Sequence, residues 1–533
     1  MIATHNVFLR FGDRKLFEDV NITFSPGNCY GLIGANGAGK STFMKVLSGE
    51  IAPNSGQVST HPGQRLSFLK QDHHAYDQES VLDCITLGNP KLYAIGQQRS
   101  KIYEKEPFSE EDGILASKLE AEFAELGGWE AEAEAGTLLS GLGLSADILH
   151  KSMAELNGAQ KVKVLLAQAL FGAPDVLLLD EPTNDLDIEA IHWLENFLLE
   201  FKNTLIVVSH DRHFLNRVCT HMADIDYSRI TIYSGNYSFW LQASELNLKL
   251  RSDQKKKAED KAKELKTFIA RFSANAAKSK QATSRRKILE SLDLSSLPVS
   301  SRKYPYIHFE QQREAGKDIL TIHDLSYESH GKTLLHKVNV TIEKGDKVVI
   351  LGDDATQTAL LSILGNSQLS QHDSALRFGV TISRSYFPKD HHSYFENDQD
   401  KSLLEWLGTF TTEKQQDETF LRSFLGRMLF SKDDVHKKVK VLSGGEKVRC
   451  ILAKMMLQKA NLLILDNPTA HLDLESITAL NNGISAFKGT VIFSSTDHEF
   501  IQTIANRILV FDRTGHLTMD QKTDYSSYLD YTS

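Results

Sequence analysis

Four short runs of the chain are almost continuously apolar: Leu177 to Asp180, Leu205 to Ser209, Leu462 to Asp466 and Thr490 to Ser494. They lack the alternation of a strand with one wet face, so they predict strands buried on both faces of a parallel sheet. A helical pattern follows each. Cys29 to Ile33 predicts a further strand and Ser41 to Leu47 a helix. Strands alternating with helices predict an α/β fold with functional groups at the carboxyl ends of the strands. The order occurs twice, which places one domain at 1–240 and a second at 316–533.

The pattern changes between them. Arg251 to Lys303 is rich in Lys, Arg, Ala and Ser and includes Lys255-Lys256-Lys257, Lys278, Lys280 and Arg285-Arg286-Lys287. Leu250, Leu265, Phe268 and Phe272 recur at helical spacings. They predict a helix, a break around 273–284, a second helix and an exit near Pro298. Residues 241–315 are therefore read as a helical linker. A further stretch, 88–128, has no counterpart in the second half. It is acidic and helix-prone, and reads equally as an inserted arm or an enlarged helical subdomain.

Composition narrows the class. A length of 533 residues predicts two or more domains, and 41% hydrophobic with 24% charged residues is globular usage. No apolar run is long enough to span a bilayer, and the first residues do not read as a signal peptide. The 4 cysteines, Cys29, Cys84, Cys219 and Cys450, have no metal-ligand spacing, which fits buried thiols in a reducing cytosol. A net charge of -9 argues against a uniformly nucleic-acid-coating surface. A basic hairpin inside an acidic chain is instead a local anion-binding feature, and nucleic acid is the usual large anion. A solvated charged linker is the plain alternative.

The strand Cys29 to Ile33 leads into Gly34-Ala35-Asn36-Gly37-Ala38-Gly39-Lys40-Ser41-Thr42. This is a complete phosphate-loop pattern. Its glycines let backbone N–H groups converge on phosphate oxygens, Lys40 adds charge at the β and γ phosphates, and Ser41 can ligate Mg²⁺. Asp180 ends one apolar strand and can hold Mg²⁺ through water. Glu181 follows and can orient or deprotonate the attacking water. His210 ends the next strand and can reach the γ-phosphate. Gln71, after Leu66 to Leu69, can contact both Mg²⁺ and that water. Phe11 precedes the loop at a distance that suits stacking on adenine, or a purely packing role.

In this order the residues resemble the ATP-binding cassette ATPases. Two cassettes, the lack of a membrane segment and the charged linker narrow the resemblance to the ABC-F class. Arg271 to Arg285 and Ser209 to Asn216 look like its YbiT-like branch. The resemblance covers nearly the whole chain and implies two tandem P-loop ABC ATPase domains joined by a basic helical hairpin. It implies ATP and Mg²⁺ as cofactors, and a cytoplasmic monomer whose cassettes pair intramolecularly. It also implies a ribosome-binding ATPase whose linker enters the E site and approaches P-site tRNA. Lys278, Lys280, Arg285, Arg286 and Lys287 would then meet RNA.

In that class each nucleotide lies between the phosphate loop of one cassette and the signature motif of the other. One composite site would join the first loop, Gln71, Asp180, Glu181 and His210 with Ser443-Gly444-Gly445-Glu446, and every element is present. The other would join a decayed loop with an off-pattern signature, Leu156-Asn157-Gly158-Ala159. In that loop Ala355 and Gln357 replace glycines, Thr358 the lysine and Ala359 the serine. Lys389 stands at the place of Gln71, Asn467 at that of Glu181 and Thr496 at that of His210. Asp353 and Asp354 are expected to repel phosphate. Hydrolysis is therefore expected at one site of two. The rival readings are the ATPase subunit of a membrane transporter, an ATP-gated module with negligible turnover, and a duplex-DNA-binding ATPase. The linker speaks against the first, and the lack of a basic C-terminal coiled coil before Ser533 against the last.

Overall fold

The computed structural model describes residues 1–533 except 13, 71, 73–74, 106–108, 185, 273–283, 285, 289–301, 330, 366–374, 412–416, 432, 471, 526 and 529–533. The chain divides into two compact units. The first is Met1–Thr183, His192–Ser209 and Phe214–Arg302; the second is Asn184–Ile191, His210–His213 and Lys303–Ser533.

In the first unit β1 (Ile2–Phe11) pairs antiparallel with β2 (Arg14–Phe24) and β4 (Ser55–Thr60). A second sheet has the order β5 (Leu66–Phe68), β6 (Val176–Asp180), β7 (Thr204–Val208), β3 (Cys29–Gly34), β8 (His221–Asp226), β9 (Arg229–Ser234). Its first five strands run parallel and β9 closes it antiparallel. Every residue of β3, β6 and β7 is buried, which is why those strands are continuously apolar. The core lies between the two sheets and includes Phe17, Phe24, Phe43, Leu178 and Ile206.

The second unit repeats this plan. β10 (Asp318–Ser329) pairs with β11 (Lys332–Glu343) and β13 (Leu376–Phe378). Its larger sheet has the order β14 (Arg384–Phe387), β15 (Leu462–Asp466), β16 (Thr490–Ser494), β12 (Lys347–Leu351), β17 (Arg507–Phe511), β18 (Leu517–Gln521). The α/β expectation holds in both halves. β15 and β16 have the predicted bounds; β6 and β7 each begin one residue early.

Within 88–128, helices Pro90–Tyr103 and Glu110–Glu125 pack on each other. The Arg99 guanidinium stands 4.2 Å from the Phe123 ring centroid and 4.6 Å from that of Trp129. The linker opens with a long helix, Tyr237–Phe272. Of its apolar positions Leu265 is buried, whereas Leu250 is half exposed. Ser284 and 286–288 are helical, with Arg286 and Lys287 exposed. The rest of the predicted break, 273–283 with Lys278 and Lys280, lies outside the described residues, as does Arg285.

Candidate active site

The first phosphate loop leaves the carboxyl end of β3, between β7 and β8. A Cβ on Gly34 would lie 2.7 Å from the Ile225 carbonyl on β8, so no side chain fits there. Gly37 and Gly39 have φ of 75° and 106°, a region open to glycine and costly for other residues. Asn36 and Gly37 are exposed at the bend, which Ala38 closes by donating to the Ala35 carbonyl at 2.9 Å. The helix Lys40–Leu47 starts only after this loop. Its N-cap, Gly39, provides no side-chain hydrogen bond. The first-turn amides around Ser41 and Thr42 therefore point into the loop without a side-chain cap, which favours an anion. Lys40 is nine-tenths buried and donates from Nζ to the Gly34 carbonyl at 2.8 Å and to that of Ala35 at 3.5 Å.

Asp180 ends β6 and is buried. Burial pushes its carboxyl up, while the Ser41 hydroxyl bonded to it and the charge of Lys40 pull it down. A buried carboxylate beside a serine hydroxyl is a donor set that a divalent cation would complement. Glu181 takes the left-handed conformation, φ 52°, with its N–H donating to the Val208 carbonyl at 2.8 Å. That conformation costs a non-glycine residue of order 1–3 kcal/mol. His210 stands just past the end of β7. Phe11 ends β1 and is 54% exposed, outside the core. Gln71 lies outside the described residues.

The second loop follows β12 and has a different backbone. Gly352 survives for a packing reason: a Cβ there would lie 2.5 Å from the Phe511 carbonyl. After it the chain turns directly into the helix Asp354–Gly365. Matched from Gly34 and Gly352, Lys40 corresponds to Thr358, so this helix starts about one turn early. Ala355 and Gln357 stand where Gly37 and Gly39 take positive φ, and both are good helix formers. Replacing the two glycines therefore lets the helix run back through the loop, where the phosphate cradle would be.

Both acids of this loop have a lysine partner, which offsets part of the expected repulsion. Lys389 Nζ donates to both carboxylate oxygens of Asp354 at 2.5 Å, and Lys332 pairs with Asp353 at 3.3 Å. Asp466 is buried and is bonded by Ser494 Oγ at 3.0 Å. Asn467 repeats the backbone of Glu181, φ 46°, and donates to the Ser494 carbonyl at 3.2 Å. Asparagine tolerates that conformation better than glutamate does.

Both signature segments form helix N-termini. Ser443 caps the helix Gly444–Gln458 in a capping box with Glu446: Ser443 N and Oγ each donate to Glu446 Oε2 at 2.8 Å. Gly444 and Gly445 form the first turn. Asn157 caps Gly158–Leu170 through Gln160 in the same way. The difference between the two signatures is thus side-chain identity, since the caps share one form.

The lysine pairs that close the second loop escaped the sequence reading. The only signal was Lys389 itself, noted as a replacement of Gln71 and not as a partner of Asp354.

Comparison with known proteins follows the same division. A family profile described as ABC transporter matches residues 17–184 and 335–470, and a companion profile of the same description matches 223–309. The chain is 56% identical to the uncharacterized ABC transporter ATP-binding protein YkpA of Bacillus subtilis (strain 168), over 99% of this chain and 97% of that one. It is 43% identical to the probable ATP-binding protein YbiT of Escherichia coli O157:H7, over 99% of each chain. Among solved structures it shares its fold with an archaeal ribosome recycling factor, aABCE1, in complex with the stalk protein aP1. That match has a TM-score of 0.61 and 17% identity, over 96% of this chain and 88% of that one. No described helix is long and apolar enough to cross a membrane. The chain belongs to the ATP-binding cassette family, in its ABC-F class, with two ABC ATPase domains of the kind that bind ATP with Mg²⁺.

Proposed function

We propose that this protein hydrolyses ATP at its first phosphate loop, retains the second loop as a structural element, and engages the ribosome through its basic linker. The observation that carries the first two parts is the contrast between the loops. Gly37 and Gly39 hold one open ahead of Lys40, and a helix from Asp354 fills the other.

In this reading Lys40 exchanges the Gly34 carbonyl for phosphate oxygens, and the loop amides hold the phosphate chain. Ser41 and Asp180, with Gln71, would hold Mg²⁺, whose charge offsets that of the phosphates. Glu181 accepts the proton of the attacking water and His210 steadies the γ-phosphate. By the head-to-tail rule of the class, Ser443 and the amides of Gly444 and Gly445 complete this site. At the second loop neither a lysine nor a glutamate stands in the corresponding place.

The ribosomal part rests on the class and on the charge of the linker, including exposed Arg286 and Lys287. The ribosomal part and the first-site assignment are tested together by sedimentation with ribosomes of the Glu181→Gln and Lys40→Ala variants, with and without ATP, and by their ATP turnover. Glu181→Gln should accumulate on ribosomes with ATP, and Lys40→Ala should not. If Glu181→Gln with ATP sediments no better than the parent, the ribosomal reading fails. Unchanged turnover in Lys40→Ala would remove the first-site assignment.

A further inference from the structure

Asp224 sits on β8, next to the strand that carries Gly34, and is 7% exposed. Both its carboxylate oxygens are bonded. Arg302 Nη2 donates to Oδ1 at 2.6 Å and Nη1 to Oδ2 at 3.2 Å. Trp240 Nε1 donates to Oδ2 at 3.1 Å. The Arg302 guanidinium also stands over the Trp240 ring, 4.6 Å from its centroid, with its side chain 7% exposed.

The three residues come from separate places. Trp240 lies in the first turn of the helix Tyr237–Phe272, which opens the linker. Arg302 is at the end of the linker's basic stretch, where the first unit stops. Asp224 is in register with Ile33 on β3, and its neighbour Ile225, in register with Gly34, carries the carbonyl that excludes a Cβ at Gly34. A bidentate guanidinium–carboxylate pair defines an orientation as well as an attraction. A buried pair contributes little net stability, while breaking it strands a charge. The start of the linker helix and the end of its basic stretch, joined at one carboxylate with an aromatic plane setting the guanidinium tilt, therefore fix a direction.

We infer that Asp224, Arg302 and Trp240 form a clasp that sets the direction of the linker and ties it to the strand beside the phosphate loop. Asp224 is then a positioning residue for the linker. The clasp deepens the proposed function, and only its consequence, that ATP state reaches the linker through β8, rests on that reading.

Pulsed spin-label distance measurement tests it. The four native cysteines are buried, so labels at Lys256→Cys on the linker helix and Gln57→Cys on β4, both exposed, report their separation alone. Without nucleotide, the parent should give one narrow distance distribution. Asp224→Asn and Arg302→Gln should each lose it, and Arg302→Lys, which keeps the charge but not the planar fork, should recover it only in part. Basal ATP turnover of the variants reports that the first unit is folded. Should Asp224→Asn not fold, Arg302→Gln and Trp240→Phe test the clasp from the linker side. Narrow distributions in Arg302→Gln and Trp240→Phe overturn it. Adding ATP should shift the parent distance and leave the variants unshifted. A parent that does not shift overturns the coupling of ATP state to the linker, while the nucleotide-free widths still decide the clasp.

Discussion

Gln357 Nε2 donates to the carbonyl of Gly352 at 2.8 Å, the distance at which Lys40 Nζ reaches the carbonyl of Gly34. Both bonds fasten a side chain to the first residue of the loop. In one case the side chain is a cation that can leave for phosphate. In the other it is a neutral amide on a helix that already fills the loop.

Nucleotide stoichiometry follows from that difference. Equilibrium dialysis with labelled ATP should find one tight site per chain. Lys40→Ala should abolish it and slow turnover by roughly 10²–10³, the usual cost of removing a preorganised charge donor. Gln357→Ala should leave turnover unchanged. Thr358→Lys alone should not create a second site, because Ala355 and Gln357 still carry the helix through the loop.

Glu181 joins function to strain. Glu181→Gln should lower turnover by ~10²–10⁴, the usual worth of a positioned base, with ATP binding retained. Glu181→Asn should do the same and also raise the melting temperature. Asparagine relieves part of that left-handed backbone cost of roughly 1–3 kcal/mol. A melting temperature equal to or below that of the parent would count against strain at this position.

Lys454 supplies a pH dependence in the second unit. Burial lowers it from the usual 10.5 to about 8, although it stands 4.9 Å from the Tyr394 ring centroid and 4.8 Å from that of Phe410. Those rings favour the charged form, so burial is the larger effect. A base held lower in the folded chain binds fewer protons there than in the unfolded chain between the two values. Its contribution to stability therefore rises with pH from about 8 toward 10.5 and is unfavourable below about 8. Lys454→Met should raise the midpoint of denaturant unfolding at pH 7, with the advantage shrinking across that window.

Linker charge should appear as salt dependence. Replacing both Arg286 and Lys287 with alanine should weaken ribosome binding and flatten its log–log salt slope. The expected change is about 0.7 per lost phosphate contact on single-stranded RNA. An unchanged slope with weaker binding would mean that these residues shape the linker without touching RNA.

The fold was legible because β6, β7, β15 and β16 are buried on both faces, and full burial leaves an apolar run that needs no partner to be read. The first loop was legible because its spacing is dictated by backbone: Gly37 and Gly39 must take positive φ. The second loop was only half legible. Its substitutions predicted weak chemistry, but Asp353 and Asp354 were read as repulsive charges. Their fate depends on Lys332 and Lys389, and the latter is 35 positions away from Asp354.

By itself the sequence determined the duplicated α/β plan, the intact loop and the residues lost from the other, because each is a local requirement of backbone conformation or burial. Only the tertiary structure decided that the second loop is closed by a helix and by lysine pairs. It alone joined Asp224 to Arg302 across 78 positions. The physical reason is common to both. A charge along the chain carries no record of its partner, and whether it repels, pairs or orients is settled when folding brings the partner within bonding distance.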